Sequence, residues 1–217
     1  ASCLAAAAVL MVAAAADGQS APAPERTDTA LVLEIQRRMD VAASVDDPER
    51  RRATLIAQLR RVPPLAAELE ERFPHSKYLA AGLSMAVDAL VLRREAGDEK
   101  VSCKEIVAAA EKLADSADRE DFQAKGRLVA LRWSLRGDVL AARREWEKAR
   151  STASRPTATQ PASRPAACPA ERKIRRAYAR KAAALAARFP ETLHAPVALH
   201  LAGSLHLAAD EEAEAVK

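Results

Sequence analysis

Apolar side chains recur every three or four positions through most of this 217-residue chain, which is the spacing of one face of an α-helix. No segment has the every-second-residue alternation of a half-buried β-strand. The pattern therefore predicts an all-α fold. The inward positions expected along the successive helices are Leu31, Ile35, Met39, Ala42, Leu55, Ile56, Leu59, Val62, Leu65, Leu69, Phe73, Leu79, Leu83, Ala86, Val87, Leu90, Ile106, Ala110, Leu113, Phe122, Leu128, Leu131, Leu135, Val139, Ala142, Trp146, Ile174, Tyr178, Leu185, Phe189, Ala195, Leu199, Ala202 and Leu205.

Capping residues mark the expected starts of three helices. Asp28 or Thr29 can cap the first helix, and Asp47 can cap the second, with Pro48 as its first residue. Ser102 is followed three residues later by a glutamate, which is the pattern of a capping box. These positions predict that new helices begin just after them.

Glycine and proline mark the expected helix ends. Gly97 follows a long Ala/Leu-rich stripe, where a residue in the left-handed conformation can close the helix. Gly137 is expected to end a later helix, which restarts at the next residue. Pro63-Pro64 is expected to break or sharply kink the helix that precedes it.

One stretch of the chain occurs twice. Residues 69–78 and 185–194 both contain a leucine, an arginine three positions later, then Phe-Pro and a hydroxyl residue, and the copies are 116 positions apart. Because proline disfavours the helical conformation in the residue before it, each copy is expected to end a helix at its phenylalanine. Ser76 and Thr192 can then cap the helices that follow. Phe73 and Phe189 are expected to be equivalent closing side chains of two helical hairpins.

The motif L-x-x-R-F-P-x-[ST], followed by an Ala/Leu-rich helix, resembles the tetratricopeptide-like repeats of bacterial envelope proteins. The resemblance covers residues 69–90 and 185–207. It implies antiparallel helical hairpins stacked as a solenoid. It also implies a surface, formed by the first helix of each hairpin, that holds a protein or peptide partner without any cofactor.

The two ends of the chain and one internal stretch differ in composition from the helical segments. Residues 1–16 are uncharged and apolar and resemble a signal peptide without its initiating Met, which predicts a periplasmic or secreted protein. Lipoprotein anchoring at Cys3 is a less favoured alternative. The expected organisation is a signal-peptide remnant (1–16), a flexible spacer (17–27), a helical repeat region (28–150), a disordered Pro/Ser/Thr-rich linker (151–169), a C-terminal helical hairpin (170–209) and an acidic, truncated tail (210–217).

The charges are mostly interleaved, which is typical of a solvated helical surface. The 34 basic and 30 acidic residues leave a net charge of +4, and only 3% of residues are aromatic, which argues against nucleic-acid binding. Residues 172–188 are the exception, because they contain seven basic residues and no acid. Arg172, Arg176 and Arg180 are four apart and form a candidate partner-binding face, for an acidic partner or for peripheral contact with an anionic membrane. An ordinary solvated face is the alternative.

The sequence contains no pattern that indicates catalysis or metal binding. His194, His200 and His206 are six apart, so on a helix they point in three directions and do not converge on a metal. Cys103 and Cys168 have no CxxC partner, and whether they pair stays open. The expectation is therefore a protein that is not an enzyme, with no cofactor and no small-molecule substrate.

Two main hypotheses about function remain, beside a less favoured one of a membrane-surface or nucleic-acid binder that uses the basic residues of 172–188. The first is an exported, non-enzymatic scaffold or adaptor that binds a protein or peptide partner in the cell envelope. The second is the N-terminal helical accessory region of an envelope thioredoxin-like oxidoreductase whose catalytic domain is not in this chain. The full reading frame would separate them.

Overall fold

The computed structural model describes residues 26–44, 48–153 and 168–214. These residues form helices and no β-strand, so the all-α prediction is confirmed for them. The predicted signal peptide, Asp47, most of the predicted linker and the end of the acidic tail lie outside the described residues. The helices are α1 (Asp28–Ala43), α2 (Pro48–Leu59), α3 (Val62–Arg72), α4 (Leu79–Glu95), α5 (Cys103–Ser116), α6 (Glu120–Ala153), α7 (Pro169–Arg188) and α8 (Ala195–Glu214).

Each helix packs mainly against its neighbours in the chain. The most extensive pairs are α5 with α6 and α7 with α8, and α1 also touches α3 and α4. Helix α6 continues the row by packing against α7. The described chain is therefore a series of helical hairpins with a four-helix group at its N-terminal end.

Most of the expected inward positions are buried or half-buried. One apolar cluster joins Leu31 of α1, Leu69 of α3, Val87 of α4 and Leu113 of α5, and Ala130 of α6 completes it. Further clusters join α6 to α7 and α8. Because these clusters meet along α6, the core extends from one end of the described chain to the other.

Helix α6 lies unusually close to α5 at Gly126. A Cβ atom at this position would lie 2.5 Å from the carbonyl oxygen of Ala110 and 2.8 Å from the amide nitrogen of Ala114. Glycine is therefore required here, because any side chain would force the two helix backbones apart. This close approach sets the spacing of the α5–α6 hairpin.

The predicted helix starts are correct at two positions and wrong at one. Helix α2 begins at Pro48, and the Ser102 hydroxyl accepts a hydrogen bond from the Glu105 N–H at 3.1 Å. The first helix is capped by Thr27 instead of Asp28 or Thr29, because the Thr27 Oγ1 accepts from the Ala30 N–H at 3.2 Å. Asp28 lies inside the helix, and its carboxylate accepts a hydrogen bond from the Ser76 hydroxyl at 2.7 Å.

The predicted helix ends are also partly correct. Gly97 has φ +83°, the left-handed conformation expected for the residue that follows α4. The break assigned to Pro63-Pro64 lies earlier, at residues 60–61, and both prolines lie in the first turn of α3. A missing N–H costs nothing there, because the N–H groups of a first turn have no partner within the helix.

The prediction that a helix ends at Gly137 is wrong, because α6 continues to Ala153. An interior glycine costs a helix only about 1 kcal/mol, and packing on both sides of this one offsets that cost. Cys103 of α5 lies against Gly137, and Asp138 accepts a hydrogen bond from the Tyr178 hydroxyl of α7 at 2.6 Å. Burial in the apolar cluster and this bond to Asp138 raise the pKa of Tyr178 to about 12.

The two Phe-Pro turns have the same backbone geometry, as the repeated motif predicts. Phe73 has φ −136° and ψ 58°, and Phe189 has φ −127° and ψ 58°. In both turns the N–H three residues later donates to the phenylalanine carbonyl, at 3.0 and 3.2 Å, and the next helix begins six residues after the phenylalanine. The repeat is therefore a repeat of local structure.

The hydroxyl residues of these turns differ in what they bind. The Ser76 Oγ accepts a hydrogen bond from the Tyr78 N–H at 3.1 Å, just before α4 begins at Leu79. The Thr192 hydroxyl is buried and donates back to the Phe189 carbonyl at 2.9 Å. The predictions that Ser76 caps α4 and that Thr192 caps α8 are therefore both wrong, because α4 and α8 begin at Leu79 and Ala195, three residues after the hydroxyl residue of each turn.

The inward face of α8 differs from the predicted face at one position. Leu199, expected to be buried, is 57% exposed. The positions that α8 buries against α6 and α7 are mostly alanines spaced three and four apart, namely Ala195, Ala198, Ala202, Leu205 and Ala209. In α6, the buried Trp133 is a core residue that the apolar pattern missed.

The two turn phenylalanines are expected to contribute unequally to stability, because Phe189 is buried and Phe73 is half-buried. Phe189→Ala should lower the free energy of unfolding by about 3–5 kcal/mol through lost burial and a residual cavity. Phe73→Ala should cost less. Urea denaturation followed by far-ultraviolet circular dichroism measures both costs. Equal losses would contradict the difference in burial.

A buried ionic cluster joins the end of α2 to the end of α4. Asp98 accepts hydrogen bonds from the Arg93 guanidinium at 2.9 and 3.1 Å, from the Arg60 Nε at 3.3 Å and from the Lys100 N–H at 3.3 Å. The Arg60 bond, followed by the bonds from Arg93, outweighs burial and lowers the pKa of Asp98 to about 2. The carboxylate is therefore held in its charged form.

Asp98→Asn is expected to lower the free energy of unfolding by about 2–3 kcal/mol at neutral pH, because charge-assisted hydrogen bonds are lost. The folded pKa of about 2 lies below the ordinary value of 3.8, so this stabilisation exists above pH 3.8 and is lost as the pH falls towards 2. Denaturation curves at several pH values should therefore converge for the two proteins in acid. If the difference in the free energy of unfolding between the two proteins stays constant down to pH 2, the stabilisation does not come from the charged Asp98 carboxylate.

Candidate functional site

The predicted basic face of α7 is only partly exposed. Arg176 and Arg180 are exposed, whereas Arg172 is half-buried, and its Nε is buried without a hydrogen-bond partner among the described residues. Glu171, which immediately precedes this run, is buried beneath it. The three arginines therefore do not form one uniform binding surface.

Glu171 joins the start of α7 to α6. Its two carboxylate oxygens accept hydrogen bonds from Arg143 at 2.7 and 2.9 Å, and Arg175 also donates to it. The Arg143 bonds, helped by those from Arg175, outweigh the opposing effect of burial and lower the pKa of this carboxyl below its usual value. Glu171, Arg143 and Arg175 are therefore bonded to one another, and these bonds join α6 to α7.

The histidines and cysteines singled out in the sequence lie apart from one another. His194 is half-buried before α8, while His200 and His206 are exposed along it. Cys103 and Cys168 are free thiols on α5 and beside α6, where the Cys168 Sγ lies 3.7 Å from the Ala142 carbonyl oxygen. Over the described ranges, no three His, Cys, Asp or Glu side chains are grouped so that they could hold a metal ion.

A groove of about 830 Å³ lies between the α3–α4 turn and the α5–α6 turn. We call it the α4–α6 groove. Its wall combines two aromatic rings, three basic side chains and one acid, none of which was singled out as a site in the sequence. These side chains are His75, Lys77, Tyr78, Asp118, Arg119 and Phe122.

Cationic groups lie over both aromatic rings of the groove. The Lys77 Nζ is 5.0 Å from the centre of the Tyr78 ring, and the Arg119 guanidinium is 5.5 Å from the centre of the Phe122 ring. Both distances are within the range of cation–π attraction. The groove therefore offers flat apolar surfaces, each with a positive charge beside it.

A polar cluster also joins α4 to α6. The Lys125 Nζ donates hydrogen bonds to the Ser84 Oγ at 2.7 Å and to the Asp88 Oδ2 at 2.6 Å. Ser84 and Asp88 follow the groove residue Ala81 at helical spacings of three and four. A lysine ammonium has three N–H donors, so Lys125 keeps one donor for a bound acceptor.

His194 adds a third segment of the chain to this cluster. Burial, and then the positive charge of Lys125, lower its pKa, while Asp121 and Asp88 act in the opposite direction. The neutral imidazole is therefore favoured in the folded protein. A neutral imidazole offers one hydrogen-bond donor and one acceptor.

The amino-acid sequence does not reveal this site, because its parts come from three distant segments of the chain. Residues 74–88, 116–125 and 194 meet only after α4, α6 and the start of α8 have packed together. Within each segment the residues resemble an ordinary solvated helix face or turn. The spacing of Ala81, Ser84 and Asp88 on one face of α4 was the only signal in the sequence.

Comparison of the chain with models of protein families, with curated proteins and with solved structures gives no match. The class of protein is thus defined by the fold alone, as an all-α protein of successive helical hairpins. Over the residues that the structure describes, none of the helices is both long enough and apolar enough to cross a membrane.

Lys125→Met is expected to raise the pKa of His194, because it removes a nearby positive charge and leaves Asp88 and Asp121 in place. Titration of the imidazole proton signals by nuclear magnetic resonance measures the change. Lys112→Met is the matched control, because Lys112 pairs with Glu70, outside the cluster. An unchanged His194 pKa would mean that Lys125 and His194 do not interact.

Proposed function

We propose that this protein is an exported, non-enzymatic scaffold of stacked, tetratricopeptide-like helical hairpins that binds a peptide segment of a partner protein in the α4–α6 groove. The observation that carries the proposal is the pairing, in one groove of about 830 Å³, of two aromatic rings with cations beside them. The Lys125 cluster, which joins the same two helices, adds polar groups outside the groove lining. Export rests on the apolar stretch of residues 1–16.

The chemistry of the groove favours a peptide as the ligand. The Tyr78 and Phe122 rings provide surfaces for apolar side chains, and aromatic residues of this kind are enriched where proteins bind one another. Lys77, Arg119 and the third donor of Lys125 can bind carbonyl or carboxylate oxygens. Acceptors such as Asp118 can bind backbone N–H groups. Side chains and main chain of an extended peptide would both find partners.

The polar cluster is better suited to binding than to nucleophilic catalysis. The Lys125 Nζ donates hydrogen bonds to the Ser84 Oγ and to Asp88, so it is not placed to accept the proton of the Ser84 hydroxyl. The same ammonium is well placed to attract an anionic group of a ligand. Binding is therefore the role that these contacts support.

The proposed binding surface is on different helices from those that the family resemblance implies. The resemblance implies side chains on the first helix of each hairpin. The groove instead uses the starts of the second helices, α4 and α6, together with the turns that precede them. The groove lies there because each of the two turns brings an aromatic ring and a basic residue to it. The α3–α4 turn brings Tyr78 and Lys77, and the α5–α6 turn, continued by the first turn of α6, brings Arg119 and Phe122.

A phage-displayed library of random peptides, selected against the full chain, tests this proposal. Enriched peptides should protect residues 74–81 and 116–125 from hydrogen exchange. Lys77→Glu combined with Arg119→Glu should weaken their binding about tenfold or more, because two attractive charges become repulsive. Lys104→Glu is the control, since Lys104 is exposed on α5 and does not line the groove.

Two outcomes would contradict the proposal. One is that selection enriches no peptide. The other is that the enriched peptides bind the double variant and the unchanged protein equally well. Circular dichroism of both variants verifies that the fold is retained, and the exposed location of Lys77 makes this the expected result.

A further inference from the structure

Helix α8 exposes an apolar surface without charged residues. No Lys, Arg, Asp or Glu occurs in residues 192–209. Four aliphatic side chains of this stretch are exposed, with Leu193 at 83%, Leu207 at 65%, Leu199 at 57% and Val197 at 45%. Exposed aliphatic groups concentrated on one helix, with no charge among them, indicate an interaction surface.

The exposed groups have a defined position on the helix. Helix α8 buries its alanine-rich side against α6 and α7. The opposite side carries residues spaced three and four apart, which we call the α8 outer face; they are Leu193, in the turn just before the helix, and Pro196, His200, Gly203 and Leu207. Val197 and Leu199 flank this face on its two sides. All five residues of the α8 outer face are exposed, and a Cβ atom at Gly203 would meet no atom within 4 Å. Within the described residues, no other helix covers this face.

Helix α7, the partner of α8 in the hairpin, exposes basic side chains. The side of α7 that faces the core carries Tyr178, Ala179, Ala182 and Ala186. The opposite side of α7 is therefore directed away from α6, as the α8 outer face is. Exposed basic residues occur along the whole of α7, and they are Lys173, Arg176, Arg180, Lys181 and Arg188.

Acidic groups are almost absent from this part of the hairpin. Glu191, in the turn, is the single acidic residue between positions 172 and 209. Glu171 is buried and bonded to Arg143 and Arg175. Arg180 forms no ion pair with any residue in the described part of the chain. The next acids begin at position 210, beyond the last exposed leucine of α8.

We infer that the outer side of the α7–α8 hairpin docks on an anionic lipid surface. The aliphatic side chains of α8 would enter the boundary between headgroups and acyl chains, and the basic residues of α7 would bind lipid phosphates. This pairing of an apolar face with flanking cations is the one that peripheral helices use at membrane surfaces.

A second copy of the chain fits this surface less well. A symmetric dimer through the α8 outer face would bring the two basic α7 helices close together, and like charges oppose such an association. An anionic lipid surface instead satisfies the apolar and the basic groups together. The inference is independent of peptide binding, because the α4–α6 groove is formed by other residues.

Co-sedimentation of the full chain with vesicles tests the inference. The protein should bind vesicles of phosphatidylcholine mixed with phosphatidylglycerol much more strongly than vesicles of phosphatidylcholine alone, and added salt should weaken binding. Arg180→Gln should reduce the partition coefficient about fivefold, since one basic residue near an anionic surface contributes about 1 kcal/mol.

Two variants test the apolar face with matched controls. Gly203→Glu and Leu207→Glu should each lower binding at least about tenfold, because a charge is costly at the lipid boundary. Gly203→Ala should leave binding unchanged. Leu33→Glu should also have no effect, because Leu33 is 64% exposed, as Leu207 is, but lies on α1. Gly203→Glu has no steric reason to misfold, because the space around Gly203 is open.

The inference is overturned if anionic vesicles are not bound, or if Gly203→Glu and Leu207→Glu bind as well as the unchanged protein. A dimer in solution would also overturn the inference, if Leu207→Glu dissociates that dimer and the unchanged protein does not bind vesicles. Lys77→Glu with Arg119→Glu should leave vesicle binding intact. Loss of peptide binding and loss of lipid binding can therefore be separated.

Discussion

The structure depends on the packing of two opposite sides of α6. Phe122, Gly126, Ala130 and Trp133 lie three and four apart and face α5 and the N-terminal helices. A second set faces α7 and α8, and its members are Leu128, Leu131 and Leu135, of which Leu128 and Leu135 lie two positions after Gly126 and Trp133. Two residues along a helix correspond to about 200° of rotation, so the two sets lie on opposite sides. Without α6, the core would divide into two unconnected parts.

The candidate site is a consequence of this arrangement. Lys125 lies between the two apolar sides of α6, so its side chain can reach Ser84 and Asp88 on α4 and approach His194 at the start of α8. The close contact at Gly126, one residue later, holds this part of α6 against α5. Apolar packing therefore sets the geometry of the polar cluster. Within that geometry burial, and then the positive charge of Lys125, lower the pKa of His194.

The two proposed surfaces use different physical interactions. The α4–α6 groove combines aromatic rings with directed hydrogen-bond donors and acceptors, which suits a ligand of defined shape. The outer side of the α7–α8 hairpin combines aliphatic side chains with exposed basic groups, which suits a surface that has charge but no fixed shape. A scaffold with both properties could hold a partner protein close to a membrane.

The sequence by itself determined the helices, because helical periodicity and turn chemistry act over a few residues. It predicted the identical turns at Phe73 and Phe189 and the left-handed Gly97, where local sterics decide the backbone. Tertiary packing decided the structure and the burial of residues at positions where local signals compete. It carried α6 through Gly137 and left Leu199 exposed, because alanines at other positions fit closely against α6 and α7. The α4–α6 groove likewise required the tertiary structure, since burial, and the meeting of residues far apart in the chain, depend on which helices touch.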